Sequence, residues 1–307
     1  EWQDDENDAE KSVNAYNSLK DKGIQILMGT VTSQPCAAVV AETSSDNMFQ
    51  LTPSGSAVES IAGDNAFRVC FSDPNQGIGA ADYIAENFAD SKVAVIYNSS
   101  DVYSSGIYEK FAAEADTKGV DIVDTEAFTK DAKTDFSVQL QKIKESGADL
   151  VFLPIYYEEA ALILTQADQA GLDVTFFGCD GLDGVIGQLG DNAELAEGVM
   201  LLTPFAADAK DEKTQTFTAA YQEAYDGATP NQFAADAYDA IYIIKAAIEQ
   251  AEATPDMSVS DLCEALKVAM TEITVEGVTG TMTWDASGEP TKEPKAMVIK
   301  DGAYSAV

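Results

Sequence analysis

Two short turns gather hydroxyls with no base beside them. In "GTVTSQP" Thr32 and Ser33 follow an apolar run, and in "LTPSGSA" Ser54 and Ser56 follow another. Taken singly, each is an ordinary helix N-cap. Two adjacent strands that end in the same way make a carboxylate grip, because helix starts expose unpaired N–H groups beside the hydroxyls. Three further turns carry larger groups: Tyr103 in "VIYNSSDVYSSG", Tyr156 and Tyr157 in "VFLPIYYEEA", and Asp180 in "FFGCDGLDG". A tyrosine at a strand end is ordinarily half core and half surface, and Asp before Gly is ordinarily a turn residue. Together they form an aromatic wall with one anionic point, which suits a cationic amine.

Other chemistries find less support. The 307-residue chain contains no histidine, so serine–histidine and cysteine–histidine mechanisms are excluded. Cys36, Cys70, Cys179 and Cys263 show no CxxC spacing; they read as small buried residues, with one disulfide open to an exported protein. "TPSGSA" and "GIGAAD" (77–82) lack the glycines and lysine of a phosphate loop, and no GxSxG elbow occurs. The acidic "DDEND" (4–8) lacks calcium-loop spacing and a closing glutamate, and reads instead as a solvated strand end. With 53 acidic against 18 basic residues the formal charge is -35, which argues against nucleic acid and anionic lipid and is enough to keep the surface solvated. No cofactor and no metal are expected.

The elements that must position these residues are legible in the apolar pattern. Apolar runs at 24–29, 48–52, 66–70, 92–97, 120–128, 148–154, 174–178 and 198–204 read as buried parallel strands, and amphipathic helical stretches lie between most of them. Repeated strand, helix, glycine, strand predicts an α/β protein with parallel sheets and right-handed crossovers. After Pro204 the alternation gives way to two helices, then a third in "SVSDLCEALKVAM", then short strands with a hairpin at "DASGEP". No run of about 18 apolar residues exists.

In their order, "DDENDAEKSVNAYNSL", "GTVTSQP", "LTPSGSA", "FRVCFSDPNQG", "DVYSSG", "LILTQADQAGL", "GCDGLDG", "NQFAADAYDAI" and "GTMTWDASGEP" resemble one family. It is the type I periplasmic binding proteins, and within it the leucine/isoleucine/valine-binding components of ABC importers. The resemblance implies two Rossmann-like lobes with parallel sheets, joined by a three-crossing hinge. It also implies a carboxylate held by Ser33, by the backbone of Ser54 and by the hydroxyl of Ser56, an ammonium held by Asp180, and a side-chain pocket framed by Tyr103, Tyr156 and Phe233. Asp180 stands where Glu is commoner in the family. Members begin with a strand and helix carrying a "GPLTG"-like turn, and this chain starts about one such unit later, so the first β-α unit of lobe one is expected to be missing.

On this resemblance lobe one comprises 1–71 and 205–279, and lobe two 72–204 and 280–307. A ligand that joins the serines to Asp180 stabilises a closed state, since only closure satisfies both of its charges. The implied function is an extracytoplasmic solute-binding protein, periplasmic or lipid-anchored at the outer face of the cell membrane. It takes a small amino acid, branched-chain or otherwise apolar, to ABC permease subunits, acts as a monomer, and is not an enzyme. The alternative within the same fold is the ligand-sensing domain of a receptor or regulator.

Overall fold

The computed structural model describes residues 1–292 and 294–307. The chain divides into two compact units, Glu1–Ser72 with Glu212–Glu293 and Asp73–Asp211 with Pro294–Val307.

In the first unit three strands, Ile26–Met28, Phe49–Thr52 and Ala66–Arg68, form a parallel sheet in that order. The helices Ala9–Asp21, Ser33–Asp46, Gln232–Gln250 and Val259–Met270 cover it. Phe49 and Leu51 of the central strand are wholly buried and pack with Phe67, Ile243, Leu266 and Met270. The acidic opening is a correction to the sequence reading: Asp8 is no strand end but the N-cap of Ala9–Asp21, accepting from the N–H groups of Glu10 and Lys11.

The second unit is built on a seven-stranded sheet. Five parallel strands run Asp121–Phe128, Lys92–Asn98, Leu150–Leu153, Thr175–Gly178, Met200–Thr203 across it. Lys295–Lys300 and Ala303–Ala306 add an antiparallel edge, so the sheet is mixed rather than purely parallel. Leu150 and Phe152 face one core while Val151 and Leu153 face the other, the period-2 signature of a sheet covered on both sides. Numbered in chain order from Lys92–Asn98, the parallel strands lie 2-1-3-4-5. That order reverses between Lys92–Asn98 and Leu150–Leu153, and ligands of open α/β sheets sit at the carboxyl ends of strands beside such a reversal.

All three unit boundaries differ from the sequence expectation, the first by a single residue, Ser72, which lies with the first unit. Residues 205–211 belong with the second unit, where Ala206 packs against the core. Residues 280–293 belong with the first, because Met282 and Trp284 enter its core and the Trp284 indole donates to the Arg68 carbonyl at 2.7 Å. The expected hairpin at "DASGEP" is a tight turn closed by a bridge between Trp284 and Pro290. All four cysteines are free and buried, so the disulfide left open by the sequence does not form.

The first unit also buries a charge network. Lys292 Nζ lies 3.0 Å from Asp236 Oδ1 and donates to Thr279 Oγ1 at 2.7 Å, while Asp239 accepts from Thr279 and from the N–H of Val278. Burial pushes the Asp236 carboxyl up to about 6, against the opposing pull of Lys292. A carboxyl whose folded pKa exceeds its unfolded value takes up its proton earlier in the folded state. The folded protein is therefore expected to gain up to roughly 3 kcal/mol from this group as pH falls from 7 through 6 toward 3.8. Urea melts at pH 7.5 and 5 check this: Asp236→Asn should lose that part of the pH dependence, and an unchanged slope would refute the assignment.

Candidate functional site

A cluster of hydroxyls is built at the carboxyl ends of two neighbouring strands of the first unit. After Ile26–Met28 the chain turns and Ser33 opens a helix, with Thr32 as its N-cap. After Phe49–Thr52 comes the turn 53–57, and it leads into a four-residue 3-10 helix, Val58–Ile61, rather than the α-helix expected there. Thr52 Oγ1 donates to the Thr30 carbonyl at 2.6 Å and accepts from the Gly55 N–H at 2.8 Å, tying one turn to the other. Gly55 has no room for a side chain, since a Cβ would stand 2.7 Å from Thr52 Oγ1 and 3.1 Å from Cys36 Sγ.

Within this cluster the hydroxyls have different roles. Ser33 Oγ accepts from the N–H groups of Ser56 at 3.1 Å and Ala57 at 3.0 Å, and lies 3.3 Å from Ser56 Oγ. Two N–H donors occupy its lone pairs, so the hydrogen in its contact with Ser56 Oγ is Ser33's own, and Ser56 keeps its hydroxyl hydrogen. Ser54 Oγ is buried and makes no hydrogen bond within the protein. Hydroxyls with a hydrogen to give can donate to an anion.

A second cluster, which carries the carboxylate, belongs to the second unit and gathers at the strand-order reversal. Tyr103 is the second residue of the helix Val102–Lys118, after Lys92–Asn98, and Asp101 caps that helix. Tyr156 is the N-cap of Tyr157–Gln169, after Leu150–Leu153. Asp180 opens a 3-10 turn, Asp180–Leu182, after Thr175–Gly178. The Tyr103 hydroxyl donates to Asp180 Oδ1 at 2.8 Å and accepts from the Gly181 N–H at 2.8 Å. Its ring stacks on Tyr156, centroids 4.6 Å apart. A Cβ at Gly181 would come within 2.6 Å of both the Tyr103 hydroxyl and the Ile155 carbonyl, so only glycine permits this approach. Burial, and then the neighbouring Asp180 charge, hold the Tyr103 hydroxyl far above its ordinary pKa, so it stays a donor.

Sequence reasoning missed two supporting residues. Gln76, buried on the helix Asp73–Asn87, accepts the Asp180 N–H at 3.1 Å. Arg68 lies under the serine turn, its Nη1 donating to the carbonyls of Gly55, Ser56 and Ala57. The signal for Arg68 was a lone basic residue inside the apolar run "AFRVC", and for Gln76 its place in "FRVCFSDPNQG". Of the residues expected at the site, Ser33 and Ser56 are brought into contact, as are Tyr103, Tyr156 and Asp180. Phe233 lies half-buried in the first turn of Gln232–Gln250, in the unit of the serines rather than that of the tyrosines. No cluster of three or more His, Cys, Asp or Glu among the described residues is arranged to hold a metal ion, and no helix among them is long and apolar enough to cross a membrane.

Comparison with known proteins places this architecture. A Leu/Ile/Val-binding protein homolog 3 of Brucella melitensis is 30% identical over 93% of this chain and 75% of its own length. The leucine-, isoleucine-, valine-, threonine- and alanine-binding protein of Pseudomonas aeruginosa is 29% identical over 93% of this chain and 74% of its own. The branched-chain amino acid transporter substrate-binding protein LivJ of Streptococcus pneumoniae, solved with isoleucine, superposes with a TM-score of 0.87 at 26% identity, over 99% of this chain and 84% of that one. The periplasmic binding protein family model matches residues 1–302. With two α/β units and the family match along nearly its whole length, the protein belongs to the type I periplasmic binding protein family.

Proposed function

We propose that this chain is an extracytoplasmic solute-binding protein that captures one small amino acid, branched-chain or otherwise apolar, and delivers it to the permease subunits of an ABC importer. The observation that carries the reading is the opposite polarity of two subsites. One unit presents the hydroxyls of Ser33 and Ser56, 3.3 Å apart, and that of Ser54, which makes no hydrogen bond within the protein; the other presents the buried Asp180, whose carboxylate accepts from the Tyr103 hydroxyl and whose N–H donates to Gln76. A zwitterion's carboxylate matches the first and its ammonium the second. The stacked Tyr103 and Tyr156 give an apolar face that suits an aliphatic side chain. The named ligands of the relatives, leucine, isoleucine and valine among them, support the same class. In this reading the protein acts as a monomer and binds rather than transforms its ligand, as the substrate-binding relatives do.

A thermal-shift screen of the twenty amino acids tests the reading. A ligand at a hundred times its dissociation constant adds about 2.7 kcal/mol of stability. Leucine, isoleucine, valine or alanine is expected to raise the melting temperature by several degrees, while the matching amines, which lack the carboxylate, are not. No shift with any amino acid would overturn the proposal.

A further inference from the structure

Beneath the serine turn lies a guanidinium. Arg68 ends the strand Ala66–Arg68 and is completely buried. Its Nη1 donates to the carbonyl oxygens of Gly55 at 3.0 Å and Ala57 at 3.1 Å, and to that of Ser56 between them. The Gly55 carbonyl and the Ser56 N–H belong to one peptide plane and point opposite ways, as do the Ser56 carbonyl and the Ala57 N–H. Those two N–H groups are the ones that end on Ser33 Oγ. Each peptide is thus held at both ends, by Arg68 at its oxygen and by Ser33 at its nitrogen.

Arg68 is itself fixed. Its Nη2 lies 3.0 Å from a carboxylate oxygen of Glu289, its N–H donates to the Gly288 carbonyl at 3.1 Å, and its own carbonyl accepts from Trp284. Glu289 is partly exposed while the guanidinium is not, so the cation sits on the protein side of the turn. Only a planar fork with several donors reaches three carbonyls and a carboxylate together; an ammonium in the same place is a point charge on a flexible stem.

We propose that Arg68 is the positioning residue of the carboxylate grip. It holds two peptide planes on Ser33, so that Ser33 spends its hydrogen on Ser56 Oγ and the Ser56 hydroxyl hydrogen is left for the ligand, and it supplies the positive potential behind the turn without touching the ligand. Glu289 tempers that potential. The inference rests on the amino-acid reading above and adds to it the group that sets how strongly the carboxylate end is preferred.

The test is calorimetry on the wild type, Arg68→Lys and Glu289→Gln, each titrated with the tightest-binding amino acid of the thermal-shift screen and with its carboxamide. Arg68→Lys is expected to weaken binding of the acid by about ten- to a hundredfold and of the amide far less, which collapses the acid-to-amide ratio. Glu289→Gln keeps an oxygen for Nη2 but removes the negative charge, so the ratio is expected to rise about threefold. If Arg68 serves the fold alone, Arg68→Lys lowers the melting temperature with the ratio unchanged, and Glu289→Gln leaves the ratio at the wild-type value; either ratio result overturns the inference. Should Arg68→Lys fail to fold, Glu289→Gln decides. A wild type that binds no amino acid fails earlier and overturns the parent reading instead.

Discussion

Replacing Asp180 by asparagine is expected to weaken amino-acid binding by about 10- to 100-fold while leaving the ligand-free protein as stable as before, or more so. A hydrogen bond between charged partners contributes roughly 1.5 to 3 kcal/mol, and each 1.4 kcal/mol is a factor of ten in affinity. The amide keeps an oxygen to accept from the Tyr103 hydroxyl, now 2.8 Å from the carboxylate, and it keeps the backbone N–H bond to Gln76. What it removes is the charge of a side chain only 2% exposed, and burying a carboxylate costs free energy that its partners offset. Binding is therefore expected to fall without a matching loss of stability, as at sites where function is held at some cost to the fold. Isothermal calorimetry with urea melts of the free protein reads both. An unchanged dissociation constant would remove Asp180 from the site, and a large loss of stability would mean that its charge serves the fold.

The two serines of the first unit should separate in the same measurements. Ser33→Ala strips the acceptor from the N–H groups of Ser56 and Ala57, which lie in a buried turn. Two orphaned buried donors cost about 1 to 3 kcal/mol each, so a loss of roughly 2 to 6 kcal/mol is expected on top of weakened binding. Ser54→Ala removes a buried hydroxyl that makes no hydrogen bond within the protein. Its free protein should melt at the wild-type temperature or slightly higher, with affinity down about tenfold for the lost donor. Equal destabilisation by the two substitutions would contradict the assignment of Ser33 as organiser and Ser54 as a donor held for ligand.

Much of this was legible beforehand because buried parallel strands write themselves as continuous apolar runs. Each of the eight runs read as a strand contains one in the structure. The turns after them carry the polar groups because loops at the carboxyl edge are where backbone and side-chain donors stay available. The cluster around Asp180 illustrates the limit. "GCDGLDG" shows an acid beside glycine, but nothing local says that Tyr103, 77 positions earlier, will share its proton with that acid. The 2-1-3-4-5 strand order produces the contact, since it sets the ends of Lys92–Asn98 and Leu150–Leu153 side by side.

By itself the sequence determined the α/β class, the absence of any histidine chemistry, the acidic surface, and which turns hold hydroxyls, tyrosines and the carboxylate, because composition and short-range period suffice for these. Tertiary structure alone decided three things. Trp284 carries residues 280–293 into the first unit, because a buried indole needs both apolar neighbours and an acceptor and finds them beside Arg68. Arg68 is an internal brace and not a break in a strand, since its Nη1 donates to carbonyls of a turn more than ten residues away. And of three similar serines, Ser33 is occupied by backbone N–H groups, Ser56 leans on Ser33, and Ser54 is held without a partner. Residue type records that a group can donate or accept, and the folded chain decides which of those capacities is already used.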